Sequence, residues 1–85
     1  MTKTICSIYD CKAEFWSSPM MFQSRASAVR SFTDVVNDSS SDFFKHPEDY
    51  TLFAVGTFDE ASGEIIPEVA PVSLAVGINV KEIEE

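Results

Sequence analysis

Few side chains here could do chemistry. His46 is the one imidazole, and Cys6 and Cys11 are the two thiols. A cysteine nucleophile needs a base to take its proton, and nothing in the spacing of His46 from either cysteine sets up that pair. The same residues fit no usual zinc pattern. Two adjacent acidic pairs, Glu48-Asp49 and Asp59-Glu60, could relay protons or hold calcium. Neither has calcium-loop spacing, and both fall in stretches that read as turns, where acids are ordinary. There is no glycine-rich phosphate loop and no nucleophile elbow. The residues therefore predict no catalytic site, no metal and no cofactor, and the expectation is a binding protein.

One constellation points to binding. Lys12, Arg25 and Arg30 share the first third of the chain with Tyr9, Phe15, Trp16 and Phe22. Bases of single-stranded nucleic acid stack on exposed rings at about 1–3 kcal/mol each, while cations track the phosphates. Lys12, Trp16, Phe22, Arg25 and Arg30 are the candidate nucleic-acid residues. The segment FWSSPMMFQ, Phe15 to Gln23, supports a second reading. Pro19 and two serines mark it as a loop, yet it carries Phe15, Trp16, Met20, Met21 and Phe22. Loops run over the surface, so these five side chains either fold back as a lid on the core or form a partner or dimer surface, where methionine and aromatics are enriched.

Charge weighs on both readings. Formal net charge is −8. Residues 1–33 carry four cations against two acids, and residues 34–85 two cations against twelve acids. Long-range repulsion opposes the approach of nucleic acid, but a basic patch acts at short range, within about one Debye length of 8–10 Å. The acidic remainder could bind a protein as a DNA-like decoy.

The elements that must position these residues follow from periodicity and punctuation. Lys3 to Glu14 (KTICSIYDCKAE) is rich in β-branched and aromatic residues, apolar on both faces, and reads as a strand. Ser24 to Asn37 (SRASAVRSFTDVVN) reads as a helix, with Ser24 as N-cap and an apolar stripe of Ala26, Val29, Phe32 and Val36. Asp42 to Asp49 is a connector anchored by Phe43 and Phe44, with helix disfavoured at His46 by Pro47. Tyr50 to Pro67 reads as a hairpin: a first arm from Tyr50 to Phe58, a loop from Asp59 to Gly63, and a second arm from Glu64 to Ile66. Gly56 marks a bulge or a close backbone approach, and Pro67 ends the second arm or lies on an edge. In Val69 to Ile83 the pattern predicts a helical turn over Val72–Ala75, then a strand over Gly77–Lys81, with Glu82 to Glu85 as a solvated end. The stripe Val29/Phe32/Val36 should meet Leu52, Ala54 and Phe58, or the alternate set Phe53 and Val55.

The expected fold is α+β in a single domain, residues 1–85: strand, helix, β-hairpin and short C-terminal element, with one helix packed on a small antiparallel or mixed sheet. At 85 residues, 45% of them hydrophobic, a chain buries about 60–65% of its unfolded surface, so its stability is marginal. Seven Phe, one Trp and two Tyr exceed what so small a core needs, which points to a homodimer or another partner. Five positions apart in one strand, Cys6 and Cys11 would lie on opposite faces and about 16 Å apart, beyond the 7 Å a disulfide allows. Both are read as free thiols in a reducing compartment. No stretch approaches the ~20 apolar residues of a membrane span, and no signal peptide is visible, so the expected location is the cytoplasm.

The stretch FFKHPEDYTLFAVGTFDEASG, Phe43 to Gly63, resembles the small nonstructural protein of gokushoviruses, tailless phages with circular single-stranded-DNA genomes. The resemblance extends to the opening SIYDCKAEFW, the helix AVRSFTDVVND, the strand entry KHPEDYTLF and the Gly-x-Phe-Asp turn at Gly56 to Asp59. It implies a nonenzymatic phage protein of the host cytoplasm, absent from the virion. That protein would act in single-stranded-DNA genome replication, with single-stranded DNA or replication proteins as partners. The alternative is an acidic interaction module that binds a host or phage protein. The resemblance brings no catalytic residues.

Overall fold

The computed structural model describes residues 1–82, so the expected solvated end lies, beyond Glu82, outside the described residues. Strands β1 (Thr2–Asp10), β2 (Phe15–Trp16) and β3 (Met20–Phe22) precede helix α1 (Arg25–Val36). A one-turn helix α2 (Asp42–Lys45) and a 3-10 turn (Pro47–Asp49) lead into β4 (Tyr50–Asp59) and β5 (Ile65–Val76), and α3 (Gly77–Val80) follows. The strands form one five-stranded antiparallel sheet in the order β2-β1-β4-β5, with β3 also paired to β1. The fold is α+β, as the sequence pattern predicts.

Local chemistry explains the elements. Ser24 is extended at φ −155°, its hydroxyl accepts from the Ser27 N–H at 3.1 Å, and the Ser27 hydroxyl accepts from the Ser24 N–H at 3.1 Å. This reciprocal capping box satisfies two orphan donors at the start of α1. At the other end Asn37 donates to the carbonyls of Thr33 and Val80 at 2.9 and 3.0 Å, and its Oδ1 accepts from the Glu82 N–H at 2.7 Å. One side chain thereby ties the helix end to the C-terminal segment.

Side chains alternate across a strand, and the pairings show which face each takes. Cys6 and Ile8 of β1 oppose Ala54 and Leu52 of β4. With Ala28, Phe32 and Val36 of α1, the set Cys6, Ile8 and Leu52 makes the core cluster. Between the Ile5–Gly56 and Cys6–Ala54 pairs β4 has one extra residue, Val55. This β-bulge reverses the alternation, so Gly56 and Phe58 pair with Ile5 and Lys3 on the opposite face. Gly56 is required beside it: a Cβ there would stand 2.8 Å from the Ile66 carbonyl oxygen.

Several expectations need correction. The loop expected over Phe15 to Gln23 contains β2 and β3, because the free edge of β1 offers unpaired backbone groups to both. Cys11 lies beyond β1 in an exposed turn, so the two cysteines do not share a strand; both are free, with Cys6 buried. In the helix stripe Ala28 takes the place of Ala26, which is exposed. Phe58 does not meet α1, because the bulge turns it away. The second hairpin arm does not stop at Ile66. It continues as β5 through Pro67 and Pro71 on the edge of the sheet, where a missing N–H breaks no inner ladder. The C-terminal order is reversed too: Val72–Ala75 is strand and Gly77–Val80 a helical turn. Gly77 packs so closely on the 3-10 turn that an added Cβ would lie 2.3 Å from the Pro47 carbonyl oxygen.

Candidate functional site

Helix α1 covers one face of the sheet; among the described residues no element covers the other. The open face begins with Tyr9 near the end of β1. Tyr9 pairs with Trp16 across the β1–β2 hairpin, so both side chains rise from the same side. Phe53 of β4 opposes Ser7, two residues before Tyr9, and shares that side. The three rings form a row with Trp16 in the middle, 4.9 Å from Tyr9 and 5.0 Å from Phe53, centroid to centroid. The contacts are tilted and edge-on, arrangements that aromatic quadrupoles favour. Trp16 is nonetheless 44% exposed.

Beyond the row, toward the other end of the strands, the same face turns aliphatic. Ile5, Met21, Val55, Ile65, Pro19 and Pro67 line a groove of about 280 Å³. Met21 and Ile65 at its rims are half or more exposed. Among the described residues of the strands one charged side chain, Lys3, stands on this face by register, held 3.7 Å from Glu60.

The sequence-nominated residues divide between the two sides. Trp16 is on the open face, and Lys12 stays near it in the turn of the hairpin that carries Tyr9 and Trp16. Phe22 is on the covered side, packed against the core. Arg25 pairs with Glu68 at 3.1 Å, and Arg30 is exposed on α1, two positions from both Ala28 and Phe32 and so turned from the core. The basic group is thus dispersed. The Phe15–Phe22 segment divides likewise: Trp16 and Met21 face the open side, and Met20 and Phe22 pack on the core. Phe15 opposes Asp10 and remains 56% exposed. Sequence reasoning missed Phe53, Ile5 and Ile65 as partners of Trp16 and Met21. For Ile65 the available signal is Gly56, which marks an irregularity in β4 and so a change of parity beyond it.

A second apolar cavity, of about 500 Å³, opens between α1 and the β2–β3 edge, with Met20, Phe22, Phe32 and Leu52 in its wall. Elsewhere, the ligand atoms of His46, Glu48 and Asp49 lie within 4.8 Å of one another on the 3-10 turn. Burial pushes the Cys6 thiol above its usual range, with Arg25 working the other way. Desolvation, then the charges of Asp10, Asp42 and Asp49, raise the Tyr50 phenol. No helix among the described residues is long and apolar enough to cross a membrane.

By register the face carries aromatic, thioether and aliphatic side chains with Lys3, Ser7, Thr51 and Ser73 among them, a surface suited to stacking and packing. The model of a family described as Phage ORF5 protein matches residues 3–80. No curated protein matches the chain, and no solved structure does.

Proposed function

The chain belongs to the Phage ORF5 protein family, and on that premise we propose that it is a nonenzymatic accessory of single-stranded-DNA genome replication that binds the single strand on its open sheet face. It is a phage protein. The finer placement, as the small nonstructural protein of a gokushovirus acting in the host cytoplasm, rests on the KHPEDYTLF and AVRSFTDVVND stretches.

The observation that carries the reading is the Tyr9–Trp16–Phe53 row, an aromatic platform on an uncovered antiparallel sheet, with Trp16 exposed between two half-buried rings. Bases stack on such rings whatever their identity. Lys12 in the adjoining turn and Lys3 farther along the face are the nearby cations. Two phosphate contacts give a shallow salt slope, about −1.4 in log K against log salt for a single strand. A chain of net charge −8 fits a binder that works by stacking better than one that coats the backbone.

The test is fluorescence anisotropy of a labelled single strand of about 20 nucleotides, longer than one site of this kind, at two salt concentrations with duplex as control. Preference for the single strand and a loss of about fivefold or more in Trp16→Ala, about 1–3 kcal/mol for a lost stack, are expected. Equal binding by Trp16→Ala would remove the platform from the site. No binding at low salt would move the function to the second reading, a protein-interaction module. That reading draws on the twelve acids of residues 34–85.

A further inference from the structure

We infer that the open face is also the contact between two copies of this chain, packed sheet against sheet, with Trp16 of each copy set over the aliphatic groove of the other. Single-stranded DNA then competes with the second copy for the face. The competition rests on the DNA reading above; the dimer does not.

The sheet edges argue for a face contact. An edge strand pairs with a neighbouring chain when it offers a continuous row of free N–H and C=O groups. Edge strand β5 contains Pro67 and Pro71, which lack the N–H, and between its pairs Ala54–Val72 and Gly56–Pro67 four residues oppose one. The other edge is made of strands of two and three residues with Pro19 between them. Neither edge supports a long added ladder.

The face, in contrast, has the size and the chemistry. Four strands at about 4.8 Å spacing and nine residues at about 3.3 Å rise give a plane of roughly 19 by 30 Å, about 570 Å² before side-chain relief. A standard interface takes about 800 Å² of accessible surface from each partner, which a relieved face of this size approaches. By register the one strand charge among the described residues that this contact would carry inward is Lys3, already paired with Glu60.

The two ends of the face are complementary. Stacked sheets lie about 10 Å apart, and a two-fold axis between them, perpendicular to the strands, reverses the strand direction of the second copy. The aromatic end of one copy then lies over the aliphatic end of the other. Position across the strands is kept, so Trp16 at the β2–β3 edge meets Met21 and Pro19 at the partner's β2–β3 edge. The contact occurs twice, as in any isologous interface, and pairs sulfur with an aromatic ring.

The test is the mass of the full chain by light scattering and sedimentation, from micromolar to submillimolar concentration, at low and high salt. A dimer is expected that tightens with salt, because the contact is apolar and two chains of net charge −8 repel. Met21→Glu and Ile65→Glu, both at exposed positions, should each weaken it at least about tenfold, since each places its charge in the interface twice. A chain that stays monomeric throughout, or a dimer that both substitutions leave intact, overturns the interface. An excess of short single-stranded oligonucleotide should convert dimers into DNA-bound monomers; DNA bound to an intact dimer overturns the competition. Failure to bind DNA alongside a salt-tightened, Met21-dependent dimer removes the DNA reading alone.

Discussion

The covered and open faces belong to the same strands and differ in what they meet. On the covered face Cys6, Ile8 and Leu52 lie under Ala28, Phe32 and Val36, and all six are buried. On the open face Ile5 and Ser7 are buried low between the strands, Tyr9 and Phe53 are half-buried, and Trp16, Met21 and Ile65 are more exposed still. The open side is as apolar as the covered one and carries the larger rings. Hydrophobicity alone therefore does not decide what becomes core here. One twelve-residue helix covers one side of the sheet, and most of what alternates to the other side stays accessible to solvent. The main buried cluster lies on one face; the proposed function uses the other.

The largest expected effect tests that division directly. Phe32→Ala removes a ring that is 3% exposed and should cost about 3–5 kcal/mol, a large share of the stability of a small domain. Phe53→Ala, in the open row, should cost under about 1 kcal/mol in the monomer. Urea unfolding at high dilution, where association does not contribute, compares them. Equal losses would mean that the open face is part of the monomer's own core.

The next largest effects concern the glycines that allow two close approaches. Gly→Ala at an unstrained site stabilises by about 0.4–1 kcal/mol through the unfolded chain. Here both added Cβ atoms would run into backbone: 2.3 Å from Pro47 O at Gly77 and 2.8 Å from Ile66 O at Gly56. Destabilisation of about 1–3 kcal/mol is expected, with Gly77→Ala the worse. A denaturation midpoint that rises in either variant would show that the approach relaxes freely. Gly56→Ala also reads the open face, because Gly56 floors the aliphatic groove.

These particulars show what the sequence discloses. Ser24, the Phe32/Val36 spacing and the Pro47 stop carry their own local signals, so α1 and the entry to β4 are legible from residue types. The bulge at Val55 is not. Gly56 announces an irregularity, but which strand takes the extra residue depends on β1, some fifty residues away, and that choice sends Phe58 to the open side. The Val72–Val80 stretch misleads for a related reason. Its alternation belongs to a strand only as far as Val76, and the helical turn that follows is set by Gly77 against Pro47, a contact without a local signature. The candidate site was half visible: Trp16 and Lys12 stay together on one hairpin, whereas Arg25, Arg30 and Phe22 went to the helix side because strand parity and helix phase separate neighbours in sequence.

A smaller effect is expected at the helix cap. Ser24→Ala removes the acceptor for the Ser27 N–H and should cost about 1 kcal/mol. The loss belongs to the covered layer, so binding at the open face, measured on the folded fraction, should not change. A Ser24→Ala protein that binds single strands less well at full folding would show that the two faces are coupled.

The smallest effect separates the faces by proton and reagent access. Cys6 is buried on the covered side, and burial holds its proton to higher pH than in the unfolded chain. A folded pKa above the unfolded one contributes stability that is full below the unfolded value, about 8.5 for a thiol, and is lost as pH rises through the folded value. Tyr50 acts with the same sign at higher pH. Cys6→Ala should therefore flatten the first part of the alkaline decline in the urea midpoint and leave the later part. Exposed Cys11 supplies the internal reference: a thiol reagent should modify it at the rate of a free thiol, while Cys6 reacts only as fast as the domain opens. Two equally fast thiols would mean that α1 does not close the covered face, and the contrast between the two sides of the sheet would be lost.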